Sequence, residues 1–402
     1  MEQNQDNFQL IILMARLLQQ NGVPAHRMED SFLRLCRHFN MEGGIFTSPG
    51  GIIMNLSDGT RQQNRFVKVS YGNLNMEKLN KIDYVLHAVL KNGIDTSEAI
   101  RLLNEVDALP LRYSSFAQML FMSVSTASAA RVFGGGPAEI MVSGITGLFI
   151  GALIYLAAYL PKLSHLIVVI SSAFAVWLSS YAAGIIGNFS PDIATITGLI
   201  LLIPGFSFTV SILELVNGHP LAGTARFANT VITLLMIGLG ILLGSYFSGR
   251  IAPGATPTDF QELPGWTIYI ALLTVPLGFM VLFNAEIKDL KWIVLACWCS
   301  YFVMKFAGSY FSSFLSVSIA SLCLGLFGNL FALISNRPSS IILVPGIILL
   351  VPGSLGFKSI TSLIDNETVL GIETAFSMTL TAMALVSGLV LSNILVSAKR
   401  VL

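Results

Sequence analysis

Ionisable side chains are the scarcest class in this chain of 402 residues. Asp, Glu, Lys and Arg together make up 11% of it, where soluble domains carry roughly 25%. With 54% hydrophobic residues and a mean hydropathy of +0.73, that deficit excludes an ordinary soluble protein. An excess of one sign is missing too: 23 Lys and Arg stand against 22 Asp and Glu, so nothing calls for nucleic acid as a partner. Only four cysteines occur, Cys36, Cys297, Cys299 and Cys323. Cys297 and Cys299 fall on different faces of a helix, and all four read as small apolar packing residues. His26, His38 and His87 are scattered, and no HExxH, GxSxG or CxxC accompanies them. Ser48-Pro49-Gly50-Gly51 lacks the Lys-Ser/Thr ending of a phosphate loop. An enzyme, a cofactor and a metal are therefore not expected. The first apolar stretch, residues 8–18, is short and amphipathic, unlike a secretory signal, so the N-terminal segment is expected to stay in the cytoplasm.

The few charges are unevenly placed. Residues 1–112 carry Lys, Arg, Asp and Glu throughout, whereas from about 113 onward charge is confined to short gaps between apolar runs. The first part reads as a small α+β domain. Residues 8–20 and 25–39 have helical periodicity, joined at Asn21-Gly22-Val23-Pro24, where Gly22 suits a left-handed cap and Pro24 a helix start. Residues 44–56 and 61–71 read as two strands around an Asp58-Gly59 turn. Residues 76–91 and 96–109 close the domain as helices, the second capped by Asp95 or Thr96. A regulatory or assembly role is expected of it.

In the remainder, ten stretches are long enough to cross a bilayer: about 114–133, 138–160, 164–186, 192–214, 226–248, 266–284, 291–310, 313–334, 339–356 and 370–395. They are not independent. GLILLIPG at 198–205 recurs as GIILLVPG at 346–353, identical at six of eight positions, and the offset of 148 extends to Asn188 and Asn336, Asn217 and Asp365, and Gly223 and Gly371. Ala138-Glu139-Ile140 is echoed by Ala285-Glu286-Ile287. A duplication of this kind marks a transporter. Five spans per repeat is an odd number, so the halves, 113–250 and 266–398, are expected to be inverted. Lys162, Arg226, Lys288, Lys291, Arg337, Lys399 and Arg400 fall on one side and Arg250, Lys358 and Arg131 on the other, which puts both termini in the cytoplasm. The loop at 248–265 is expected outside.

The candidate site follows from the breaks. Pro204-Gly205 and Pro352-Gly353 interrupt equivalent spans, with Pro345-Gly346 as a second interruption in the later copy. Proline frees a carbonyl one turn back and glycine lets the chain unwind, and backbone freed inside a membrane must face protein or a water-filled cavity. Such breaks aim helix N-termini at anionic groups. Ionisable residues in or near spans are the other signal. Arg131 precedes Gly134-Gly135-Gly136, a run that permits a re-entrant turn. Arg131 would meet a substrate carboxylate while Glu139 balances it. Lys305, placed in the middle of the seventh span, would pair with Glu373, bind an anion or snorkel. Glu139 and Glu373 are the candidates for proton coupling. Thr195, with Asp192 and Thr197, would line the same cavity. Glu214, His219 and Arg226 read as a solvated loop face, and Asn229 and Asn329 as helix glue.

An N-G-V-P-A-x-R-M-E segment (residues 21–29), then R-V-F-G-G-G (131–136) and the two L-I-P-G/L-V-P-G copies together resemble the threonine/serine exporter family, over essentially the whole chain. Some members split the halves into two subunits, a pair associated with succinate export; this chain looks like the fused form. The resemblance implies a polytopic inner-membrane protein that exports small hydroxy amino acids, or dicarboxylates, driven by the proton motive force. A homo-oligomer is compatible with it. A passive channel is the competing transport reading. An intramembrane aspartyl protease would need two facing aspartates, and Asp192 and Asp365 fall near span ends at unmatched repeat positions.

Overall fold

The computed structural model of the chain describes residues 2–396 except 49, 70, 71, 73, 92, 187, 188 and 250–262. The first unit comprises helices α1 (Glu2–Gln20) and α2 (Ala25–His38), strands β1 (Glu42–Ser48), β2 (Gly51–Ser57) and β3 (Gln62–Lys68), and helices α3 (Met76–Leu90) and α4 (Thr96–Ala108). The antiparallel sheet has the order β1-β2-β3. Leu10, Leu18, Phe32, Leu35, Ile52, Leu56, Leu86 and Leu103 belong to one buried core that joins sheet and helices. Local chemistry ends the elements where expected. Gly22 takes a φ of 77° after α1, the Asn75 and Asp95 side chains accept the Lys78 and Glu98 amides, and Asp58 accepts those of Thr60 and Arg61. The single strand expected over 44–56 is instead β1 and β2. Ser48 pairs with Gly51, and the Pro-Gly between them in sequence is a turn signal that β propensity alone runs through.

Among the described residues, twelve α-helices follow: α5 (Ser115–Val132), α6 (Pro137–Ala157), α7 (Ile167–Ile185), α8 (Pro191–Gly198), α9 (Gly205–Val216), α10 (Pro220–Phe247), α11 (Thr267–Leu282), α12 (Leu290–Gly308), α13 (Ser313–Ser335), α14 (Ser340–Leu350), α15 (Gly353–Ile364) and α16 (Thr368–Leu395). Among the described residues, seven segments are long and apolar enough to cross a membrane: α6, α7, α10, α12 with the turn before it, α13, α14 with α15, and α16. α9 and α11 are shorter apolar helices. The chain is a polytopic helical membrane protein.

The duplication reappears in the elements. α9 and α15 are both 12 residues and α10 and α16 both 28, each pair at the 148-residue offset. α6 packs on α8 as α12 packs on α14, α7 on α10 as α13 on α16, and α9 on α10 as α15 on α16. Across the halves α5 meets α11, and α9 meets α15. Three expectations are corrected. Pro345 lies inside α14 and makes no second break, because the helix continues through it to Leu350. The ninth stretch runs on to Ile364 as α15, past the expected limit of 356. Lys305 sits in the last turn of α12, not mid-span.

The N-terminal unit sits on one end of the bundle, the domain face. The Met76 amide donates to the Phe283 carbonyl at 2.8 Å, and the Tyr113 hydroxyl to the Ala285 carbonyl at 3.0 Å.

Candidate functional site

The two Pro-Gly breaks touch. A Cβ built on Gly205 would lie 2.8 Å from the Gly353 Cα and 2.3 Å from the Val351 Cγ1. Gly205 opens α9 and Gly353 opens α15, and the prolines before them share one backbone conformation, φ −81° and ψ 40° at Pro204 against φ −79° and ψ 39° at Pro352. A proline's missing N–H is harmless at a helix start, so each helix begins where its proline stands. Two helix N-termini therefore converge in the interior, each with the partial positive charge of its first turn, although the Gly205 amide is already taken by the Ile203 carbonyl at 2.8 Å. Such an arrangement can hold an anionic group.

The expected charged residues lie elsewhere. Arg131, in the last turn of α5, donates from Nε to Thr267 Oγ1 at 2.6 Å and from Nη2 to the Leu263 carbonyl at 3.3 Å, so it braces the start of α11. Glu139 is 2% exposed. Its carboxylate accepts the Gly136 amide at 2.9 Å and the Ser190 amide at 2.6 Å, tying the start of α6 to the start of α8. No ion pair joins Arg131 to Glu139 among the described residues. The glycine run forms no re-entrant turn. Gly134, at φ 88°, and Gly135 donate to the Arg131 and Ala130 carbonyls, the double cap that ends α5. Lys305 and Glu373 are both exposed, and the Lys305 ammonium lies 5.9 Å from the Tyr301 ring centre. Thr195 is buried, with its hydroxyl unpartnered. Asn329 is helix glue as expected, bonding to Asn393 and the Val396 carbonyl. Asp192 and Asp365, far apart in sequence, come close enough for Asp365 to act on Asp192 through its charge.

Glu214, His219 and Arg226 are not a solvated face. The Glu214 side chain is fully buried and accepts both Nε and Nη2 of Arg226 at 3.1 Å, a two-point pair. It also accepts the Ala25 amide from the N-terminal unit at 3.2 Å. His219 lies 3.2 Å from Glu29. Arg27 Nη1 donates to Ser339 Oγ, just before α14, at 3.1 Å. The start of α2 is thus pinned to the end of α9 and the start of α14. Burial, helped by the charges of Arg27 and His219, lowers the pKa of His26 to about 3, so its imidazole is neutral at neutral pH.

Comparison with known proteins agrees with this layout. Residues 9–248 match the family model described as "Putative threonine/serine exporter", and residues 266–395 the model described as "Threonine/Serine exporter, ThrE". The chain belongs to the threonine/serine exporter family. Together the two models make it the fused form, with both halves in one chain. Among curated relatives of this exporter-family chain is pheromone-regulated membrane protein 10 of Saccharomyces cerevisiae (strain YJM789), 25% identical over 377 residues, covering 89% of this chain and 49% of that protein. The protein of the same name from Yarrowia lipolytica is 27% identical, over 89% of this chain and 30% of that one. This chain spans less than half the length of these relatives. No solved structure matches. The segments that carry the family resemblance do identifiable structural work: 21–29 docks the N-terminal unit, 131–136 caps α5, and the Pro-Gly copies cross. The docking role of Glu214 escaped the sequence reading, although a lone carboxylate 12 residues before an arginine at the edge of an apolar span was a signal for it.

Proposed function

We propose that the protein is a secondary-active exporter of small hydroxy amino acids, threonine and serine, across the cytoplasmic membrane, driven by the proton motive force. The observation that carries this reading is the convergence of the α9 and α15 N-termini at the touching Pro-Gly breaks. A zwitterionic substrate needs a fixed site for its carboxylate inside the bundle, and two aligned helix ends supply one without a buried cation. In this reading residues 1–112 form a cytoplasmic domain, and 113–250 and 266–398 form two inverted five-span repeats. Support for inversion comes from the ends of equivalent helices. α9 ends at Glu214, bonded to the N-terminal unit, while α15 ends at Asp365, within reach of the charge of Asp192 at the start of α8. Both termini then lie in the cytoplasm. Thr195 lines the route with an unpartnered hydroxyl, and Arg131, Gly134, Gly135 and Glu139 frame its outer end, with Glu139 the proton-coupling candidate. Lys305 and Glu373, exposed in a single copy, take part only where a second copy covers them.

Paired helix N-termini also suit a dicarboxylate, so the test carries both substrates. Proteoliposomes preloaded with labelled threonine or succinate are followed with and without an imposed pH gradient. Gradient-dependent threonine efflux is expected. Succinate efflux alone moves the assignment to dicarboxylates, and flux that neither saturates nor follows the gradient means a channel.

A further inference from the structure

The outward face of the three-stranded sheet is graded along its strands. Directly opposed residues share a face, so the pairings of β1, β2 and β3 sort that face into four rows. Glu42, Ser57 and Gln62 form the first, and Gly44, Asn55 and Asn64 the second. Phe46, Ile53 and Phe66 form the third, and Ser48, Gly51 and Lys68 the fourth. The first row is polar, and across the second Asn55 donates to Asn64 at 2.7 Å. The third is wholly apolar, yet Phe46, Ile53 and Phe66 are 52%, 55% and 66% exposed. Single exposed apolar side chains are ordinary, but three opposed neighbours make a contiguous patch, the mark of a contact surface.

The apolar end of the sheet is the end nearest the membrane. Gln19, in the last turn of α1, donates to the Ser48 carbonyl at 2.8 Å and to the Val69 carbonyl at 3.2 Å. The fourth row therefore stands beside the segment 21–29 that docks on the bundle. Shortly after Lys68 the chain reaches Met76, whose amide bonds to Phe283. β1 itself packs against α10, a span that exposes Leu221 and Phe227 within its first turns. Lipid begins where the edge of the sheet meets that helix. Charge follows the same gradient. Lys68 and Arg65 are exposed on β3 and make no ion pair among the described residues. The one carboxylate of the four rows, Glu42, lies at the far end.

We infer that this face of the sheet rests on the bilayer surface beside α10, with the Phe46, Ile53 and Phe66 row in the headgroup layer and Lys68 and Arg65 on the phosphates of anionic phospholipids. An apolar row flanked by cations is what an interfacial element presents to such a surface. A second copy of the chain fits less well. Three side chains of roughly 200 Å² each, little more than half exposed, offer roughly 300–400 Å², short of the about 800 Å² per partner that a stable dimer buries. The N-terminal unit then has two attachments, the α2 start on the bundle and the sheet on the lipid. The inference does not depend on what the bundle transports.

The test uses the unaltered chain in proteoliposomes of phosphatidylcholine and phosphatidylglycerol, with one lipid or the other carrying a photoreactive diazirine at the top of an acyl chain. After illumination, attached lipid is mapped by mass spectrometry, with the spans as the internal positive control. Capture is expected on residues 44–54 and 64–68 and not on 57–62, with phosphatidylglycerol captured several-fold more than phosphatidylcholine on the sheet. Lys68→Gln is expected to lower that preference about fivefold, the effect of one cation at an anionic surface. An unchanged preference overturns the assignment to anionic lipid. Capture on the spans with none on the sheet overturns the membrane contact altogether. A short amine-reactive cross-linker that joins Lys68 of two copies, in place of lipid capture, assigns the face to a second copy and likewise overturns it.

Discussion

Replacing Gly205 by Ala tests whether the two breaks meet as tightly as the structure has them. The added methyl carbon would stand 2.3 Å from Val351 Cγ1 and 2.8 Å from Gly353 Cα. Unstrained carbon atoms sit at about 3.5–4.0 Å, so the crossing must open by roughly 1 Å. Val351 is β-branched and turns poorly, and the second obstacle is the backbone of the opening residue of α15, so the strain passes into the helix. Overpacking of this kind costs about 1–3 kcal/mol. The partner glycine is under less pressure. A Cβ on Gly353 meets Ile203 Cγ2 at 3.1 Å and the Gly205 Cα only at 3.7 Å, so a shift of a few tenths of an ångström relieves it and no backbone stands in the way, at the low end of that range. Gly205→Ala is therefore expected to lower thermal stability in detergent and slow efflux more than Gly353→Ala does. Adding Val351→Ala should recover only part of the loss, because the backbone contact remains. The reasoning fails if Gly353→Ala is the more damaging, or if Gly205→Ala unfolds and transports as the parent does.

Three further outcomes follow from the buried carboxylates and His26. Glu214→Ala removes the group shared by Arg226 and the Ala25 amide, and breaking a buried pair costs about 3–5 kcal/mol; faster hydrogen exchange over residues 21–29 is the expected readout, and unchanged exchange counts against the docking. Glu139→Gln leaves one acceptor oxygen where two amides donate, at a cost of about 1–3 kcal/mol, so it should lower the melting temperature, and more than Glu373→Gln, whose side chain is exposed. His26 has a folded pKa of about 3, below the ordinary histidine value of 6.5. The unfolded chain therefore takes up its proton first, and stability is lost as pH falls from 6.5 towards 3. The difference in melting temperature between the parent and His26→Leu, followed across that window, should shift in favour of the variant as pH drops; a flat difference refutes the burial of His26.

Much of this architecture was open to a reading of residues alone, for reasons local to each segment. Apolar runs of bilayer length separate the bundle from the charged first unit because water and lipid sort side chains one at a time. Pro204 and Pro352 end and begin helices because a proline ring cannot donate, whatever surrounds it, and Asp95 caps its own helix. Proline in sequence is still ambiguous: Pro345, in the same kind of context, lies within a helix, because neighbouring helices can tolerate a missing bond.

What only the tertiary structure decided is which of these segments meet. That the two breaks lie against each other, 148 residues apart, follows from the packing of α9 against α15. Glu214 looked like a surface residue because its desolvation depends on Ala25 and Arg226 covering it, and Ala25 lies 189 positions away. Glu139 looked like a partner for Arg131, yet Ser190, 51 residues on, brings an amide closer. The cost of a charge is set by what surrounds it, and in this chain those surroundings come from distant segments, including the N-terminal unit. Hydropathy and proline chemistry therefore wrote the spans and their breaks into the sequence, while the meeting of the breaks and the burial of the Glu214–Arg226 pair exist only once distant segments have packed.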